Sequence, residues 1–174
     1  MHPRRTRLLL RPILCICLLV TATSILALPE DAKQPIDVAA SSGEMSLGDG
    51  LSVLKGTPEL PARITQGSLQ ITGTEIRIVK QHDELQSATA TGNPARFQQQ
   101  LTPGQEPVKA SAREIKFDNK SRVLILDTMV ELNQVGKVLV GNHVEYNLDS
   151  GGVSASSKDG QQVHMTIPPS KGKQ

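Results

Sequence analysis

"ASAREIKFDN", Ala110 to Asn119, admits two readings, and the choice between them decides the fold. Ala, Arg, Glu and Lys all favour helix, so propensity alone makes the stretch helical. From Glu114 to Asp118, however, polar and apolar residues alternate, with Ile115 and Phe117 on one face and Lys116 on the other. That two-residue period belongs to a half-buried strand.

Neighbouring segments favour the strand. Leu69 to Ile78 (LQITGTEIRI), Val108 to Phe117 (VKASAREIKF) and Gly141 to Tyr146 (GNHVEY) share one pattern: small, two variable positions, apolar, variable, apolar. Ile36 to Ala40, with Met45 and Leu47 beyond, is a looser first copy. In the clearest copy the alternation runs through 69, 71 and 73 and resumes at 76 and 78. A one-residue slip at Gly or Ala is what a bulge or corner requires, and it bends a strand while keeping apolar side chains inward. A helix has no reason to break at the same place in three copies. A second element lies between these, opening at Gly56-Thr57-Pro58, at Gly92-Asn93-Pro94 and at Thr128-Met129, with starts 36 residues apart both times. Such a period points to a serially built sheet.

Turn signals bound the strands at Gly48-Asp49-Gly50, Thr65-Gln66-Gly67, Asp118-Asn119-Lys120 and Asp149 to Gly152. No amphipathic helix of ten residues follows the first 27 positions. The expectation is an all-β fold of about a dozen short strands (mean length ~5–6 residues) bent at repeated positions.

The N-terminus reads as a leader. Arg4, Arg5, Arg7 and Arg11 precede an apolar stretch from Ile13 to Val20, and small residues lead to Ala27. This is the layout of a Sec signal peptide, residues 1–27, cleaved near Ala27. The alternative is an uncleaved anchor, because the run from Pro12 to Pro29 is uncharged over 18 residues. Four of the 19 Lys and Arg residues lie in the leader, so the remaining chain carries 15 against 17 Asp and Glu. The basic balance thus belongs to the leader and gives no ground for a nucleic-acid partner. Cys15 and Cys17 are there too, leaving no disulfide or thiolate for the folded part. The tail, 170–174, is expected to be disordered.

Catalytic patterns are missing. His82, His143 and His164 form no metal-ligand spacing, and no nucleophile elbow, phosphate loop or dinucleotide fingerprint occurs. We expect no enzyme, no cofactor and no metal. What the sequence offers is a strip: Ile36, Val38, Ile76, Ile78, Phe97, Ile115, Phe117, Val144 and Tyr146 share the inner face of a long sheet. With no Trp, one Tyr and two Phe, this interior is mostly aliphatic. Either it is the dry core of an ordinary sandwich, or the two halves splay into an apolar groove. Each acyl CH₂ buried in such a groove would contribute ~0.8 kcal/mol.

The order of these pieces carries a resemblance: leader, Gln34-Pro35-Ile36, Gly56, Thr65-Gln66-Gly67, the Gly92-to-Phe97 element, then the bent Ala112-to-Phe117 and Gly141-to-Tyr146 strands. It resembles the LptA, or OstA-like, family of periplasmic lipopolysaccharide-export proteins over about residues 34 to 169. The resemblance implies an OstA-like domain over 28–169, a twisted, half-open β-jelly roll of antiparallel strands whose groove holds the acyl chains of lipid A. It implies a place in the periplasm, bridging inner- and outer-membrane parts of the export machinery during outer-membrane assembly. LptC and the LptD N-terminal domain would be partners, with head-to-tail self-association between them. Family interior positions fall on Ile36, Val38, Phe97 and Phe117. Lys80 falls where the family carries a cation suited to a lipid phosphate, although an ordinary solvated strand-end lysine reads the same way. Two departures stand out: the Gly56-to-Arg63 run is longer than the family's Gly-Asn-Val, and Thr128-Met129 replaces Gly-Asn. An LptC-like anchored component and a lipid-free β-scaffold remain as alternatives.

The open jelly roll would leave two edges. Ile36, Asp37 and Val38 form one, and Val163, His164, Met165, Thr166 and Ile167 the other. The second has no charged residue with His neutral, an unusual state for an edge left to solvent.

Overall fold

A computed structural model describes residues 31–158 and 160–169. The leader, the proposed cleavage site and the 170–174 tail lie outside the described residues. A 3₁₀ turn at Asp31–Lys33 precedes twelve strands: β1 Ile36–Ala39, β2 Ser42–Glu44, β3 Gly50–Lys55, β4 Ala62–Gln66, β5 Leu69–Gly73, β6 Glu75–Gln81, β7 Glu84–Gln99, β8 Val108–Asp118, β9 Val123–Gln134, β10 Lys137–Asn147, β11 Val153–Ser156 and β12 His164–Thr166. All pairings are antiparallel and belong to one sheet. "ASAREIKFDN" lies in β8 as far as Asp118, so alternation outweighs propensity there.

Strands β7 to β10 are longer than the short mean length expected, with 16, 11, 12 and 11 residues, and carry the expected bends. Each is two strands joined through a corner without leaving the sheet. Register shifts fall between Thr91 and Ala95 in β7, Ser111 and Glu114 in β8, and Gly141 and His143 in β10. Opposite the β10 shift, β9 turns through Thr128 and Met129, both at positive φ. Gly73-Thr74-Glu75 makes the same corner between β5 and β6, and the Gly56-to-Pro61 loop makes it between β3 and β4. The two repeated elements of the sequence are therefore alternate corners of one line. Along it Gly56 N–H donates to the Thr74 carbonyl, and Thr74 N–H to that of Thr91. A Cβ at Gly73 would stand 2.6 Å from the Thr91 carbonyl oxygen, so the close approach there requires glycine.

The corner line divides the sheet into two arms. Arm one holds β1, β4, β5, the C-terminal halves of β7 and β9, the N-terminal halves of β8 and β10, and β12. Arm two holds β2, β3, β6, the complementary halves of β7 to β10, and β11. At the tips, tight hairpins reverse the chain. His82-Asp83 and Val135-Gly136 both take positive φ at two successive residues, the geometry whose twist matches the flanking strands. The inner faces meet as one hydrophobic cluster from Leu54 to Leu148.

Candidate functional site

Side chains from the inner faces of both arms build the interior. Ile76, Ile78, Phe97, Ile115, Phe117, Val144 and Tyr146, named from alternation, are all buried in it. Phe97 on arm one meets Phe117 on arm two with ring centroids 5.7 Å apart and planes at 47°. That tilted pair spans the space between the arms at a favourable aromatic spacing. Leu54, Ile64, Ile71, Leu85, Leu124 and Leu126 are equally buried and were not singled out from the sequence, although the same alternation runs through them.

Ile36 and Val38 pack against the edge of this interior. They are half-buried on β1 and line a cleft of about 710 Å³ between the two arms, together with Met45, Leu47, Ile78 and Lys80. Leu47 is 96% exposed beside this cleft, so apolar surface continues outward from the interior. Lys80 Nζ lies 3.5 Å from the Leu47 carbonyl oxygen. Its amine thus stands at the rim of the cleft, which Lys33, His82, Asp83 and Glu84 also line. Asp37, between Ile36 and Val38, points to the outer face opposite Thr65.

A polar cluster between the arm tips, absent from the sequence reading, closes the next stretch. Asp31 accepts hydrogen bonds from Ser68 N–H at 2.8 Å, Ser68 Oγ at 2.6 Å and Gln99 Nε2 at 3.1 Å. Gln99 Oε1 in turn accepts from Arg122 at 3.4 Å, and Arg122 also donates to Asn119 and Asp149. The Arg122 guanidinium lies 5.8 Å from the Phe117 ring centroid. Asp31, Ser68 and Gln99 belong to the arm-one tip; Asn119, Arg122 and Asp149 belong to arm two. Asp118 accepts from Ser121 N–H and Oγ, which holds the turn presenting Arg122 and keeps the Asp118 carboxyl below its ordinary pKa. No local sequence pattern could reveal a contact such as Asp31 to Gln99, whose partners are 68 residues apart.

Outside the interior, the outer face of arm two carries a charged row. His143 Nδ1 lies 2.7 Å from Asp127, and Lys116 bridges Glu114 at 2.5 Å and Asp127 at 3.8 Å. The Asp127 hydrogen bond raises the His143 pKa. This is a solvated cross-strand network. Among the described residues no group of three His, Cys, Asp or Glu side chains could hold a metal ion.

Four strands end the sheet. β1 and β2 are free edges at the N-terminal end, while β11 and β12 are free at the other, one per arm at each end. The sequence reading named two edges. β12 is also shorter than expected: His164, Met165 and Thr166 pair with β10, whereas Val163 and Ile167 flank the strand. Met165 pairs with buried Leu139 and Val153 with buried Tyr146, yet both edge residues are partly exposed. Inner-face apolar residues are therefore open at this end, and at the other Ile36 and Val38 of β1 are half-buried.

The fold and site define a two-armed, open-ended β-jelly roll with a hydrocarbon interior. Residues 33–152 match the family described as "LptA/(LptD N-terminal domain) LPS transport protein", and the chain belongs to that family. It is 30% identical over 145 residues to the lipopolysaccharide export system protein LptH of Pseudomonas aeruginosa, covering 82% of this chain and 80% of the relative. Identity to the lipopolysaccharide export system protein LptA of Escherichia coli K12 is 22% over 170 residues, with 97% and 89% covered. The crystal structure of the Pseudomonas LptH, described as the LptA-homologous periplasmic component of the conserved lipopolysaccharide transport device, superposes with a TM-score of 0.70. That match has 26% identity and covers 81% of this chain and all of that one.

Proposed function

We propose that this chain is a periplasmic lipopolysaccharide carrier that takes the acyl chains of lipid A between its two arms and passes them end to end. The observation that carries this reading is the interior itself. It is lined by aliphatic and aromatic side chains from the inner faces of both arms, opens laterally at the Ile36–Val38–Ile78–Lys80 cleft, and carries apolar side chains on β1 at one free end and on β11 and β12 at the other. The names borne by the Pseudomonas and Escherichia relatives point the same way. Lys80 is suited to a lipid phosphate at the lateral opening. The free edges suit strand addition by a second copy and by LptC and the LptD N-terminal domain at the two ends of a bridge. A leader cleaved near Ala27 would deliver the chain to the periplasm.

In the closed form the interior is packed, so lipid must part the arms. The hydrocarbon of each entering chain replaces the facing side chains at ~0.8 kcal/mol per buried CH₂. Ile78 and Val79 test this on adjacent residues of β6, because Ile78 faces the cleft and Val79 faces outward. Ile78→Glu should abolish co-purified lipopolysaccharide in native mass spectra of freshly purified protein, since the carboxylate would be desolvated against acyl chains. Val79→Glu should retain it. Equal lipid occupancy in the two variants, or a wild type that never carries lipid, would return the molecule to a closed scaffold.

A further inference from the structure

Tyr146 is among the largest fully buried side chains, and its hydroxyl has no hydrogen-bond partner among the described residues. The ring projects from the inner face of arm two, between Leu124 of β9 and Val153 of β11, one strand from the free end. Burial also raises the phenol pKa, so the group remains a neutral O–H that can donate and accept.

Ser157 Oγ, on a half-buried residue beyond β11 and outside the apolar interior, is also unpaired among the described residues, but the remaining buried polar side chains behave differently. Gln66 Nε2 donates to the carbonyls of Ala32 and Gln34, Ser52 Oγ accepts from Ser46 N–H, and Asp31 and Gln99 bind one another. Buried hydroxyls are normally paired because an unpaired one has lost its water without gaining a partner. A phenylalanine would fill the same volume without that cost. Tyrosine at 146 is thus an expense in the closed form, and it stands inside the very space the lipid would occupy.

We propose that Tyr146 is a specificity-determining residue of the interior, whose hydroxyl pairs with an oxygen carried on the acyl chain itself. This rests on the reading that acyl chains enter between the arms. A plain saturated chain is hydrocarbon beyond its carboxyl carbonyl and leaves the phenol unpaired. A hydroxylated chain, or one whose hydroxyl is esterified, brings an acceptor to it. The interior therefore favours oxygen-bearing acyl chains over plain ones of equal length, a distinction that no aliphatic lining could make.

Myristic acid, β-hydroxymyristic acid and its O-acetyl ester serve as probes, measured below their micelle concentrations by fluorescence displacement. The wild type should bind the hydroxylated chain about 3- to 10-fold tighter than the plain one, the range a single net hydrogen bond supplies. The acetyl ester, bulkier but offering acceptors alone, shows which oxygen source is used: retention of the preference assigns the ester, and its loss the free hydroxyl. Tyr146→Phe should bind plain myristic acid as well as the wild type does, lose the preference, and melt at a higher temperature without lipid. A preference that survives Tyr146→Phe, or its absence in a wild type that binds both chains, overturns the assignment while leaving the carrier reading intact. A wild type that binds neither chain sinks both. The wild-type comparison stands by itself if the variant fails to fold.

Discussion

At the scale of single residues, the corner of β9 shows what the family resemblance flagged as a departure. Thr128 and Met129 hold φ of 67° and 57°. For an L-residue this region costs roughly 1–2 kcal/mol, and a β-branched side chain such as threonine is especially unsuited to it. Glycine escapes the clash but gives up about 0.5–1 kcal/mol of backbone freedom. Thr128→Gly should therefore raise the unfolding midpoint in urea, by the equivalent of about 0.5–1 kcal/mol. Thr89→Gly, in the regular part of β7 opposite Lys116, should lower it by a similar amount. A destabilising Thr128→Gly would mean that the corner derives its stability from threonine contacts rather than losing it to strain. The position was visible in sequence as the one repeat copy lacking glycine. The sign of its backbone angle was not, because the neighbouring strands impose the corner.

At the scale of elements, the alternating runs and turn residues placed most strands correctly, and the slip at Gly73, Ala112 and Gly141 located three corners. Two features escaped. The length of β7, β9 and β10 exceeds the short strands expected, since turn residues mark only strand ends, whereas the bend within β8 was legible from the slip at Ala112. The arm-tip cluster joins residues with no shared pattern, and Asp31 and Arg122 each look like ordinary loop charges. The cluster makes a local prediction. Gln99→Leu leaves the buried Asp31 carboxylate one donor short and removes an acceptor from Arg122, a loss of about 1–3 kcal/mol. The arm tips should open more readily than the corner, whose backbone bonds are untouched. Hydrogen exchange followed by mass spectrometry should show faster exchange at Ser68 and Gln100, with Thr74 unchanged. Uniform acceleration throughout the sheet would show that the cluster adds only to global stability and does not hold the arms together.

The whole molecule has a direction. Its N-terminal end presents β1 and β2, its C-terminal end β12 and β11, and each end offers one edge from each arm. A strand added at an end continues that arm, so two copies meeting tail to head could extend both arms and keep the apolar interiors in line. Such a contact is heterologous and does not close, so length should grow with concentration. An inward-facing lysine blunts an edge by placing charge where the neighbour's apolar face must lie. Val38→Lys on β1 and Met165→Lys on β12 each spoil one end and spare the other; Met165 is exposed, and at the half-buried Val38 the lysine stem can lie along the cleft with its ammonium at the rim. Either variant alone should remain monomeric over a hundredfold concentration range in light scattering, where the wild type grows. Mixed together, they should form a dimer and nothing larger, joining the intact tail of Val38→Lys to the intact head of Met165→Lys. Like ends pairing with like would instead leave each variant able to dimerise by itself, so self-association of either one refutes the head-to-tail arrangement.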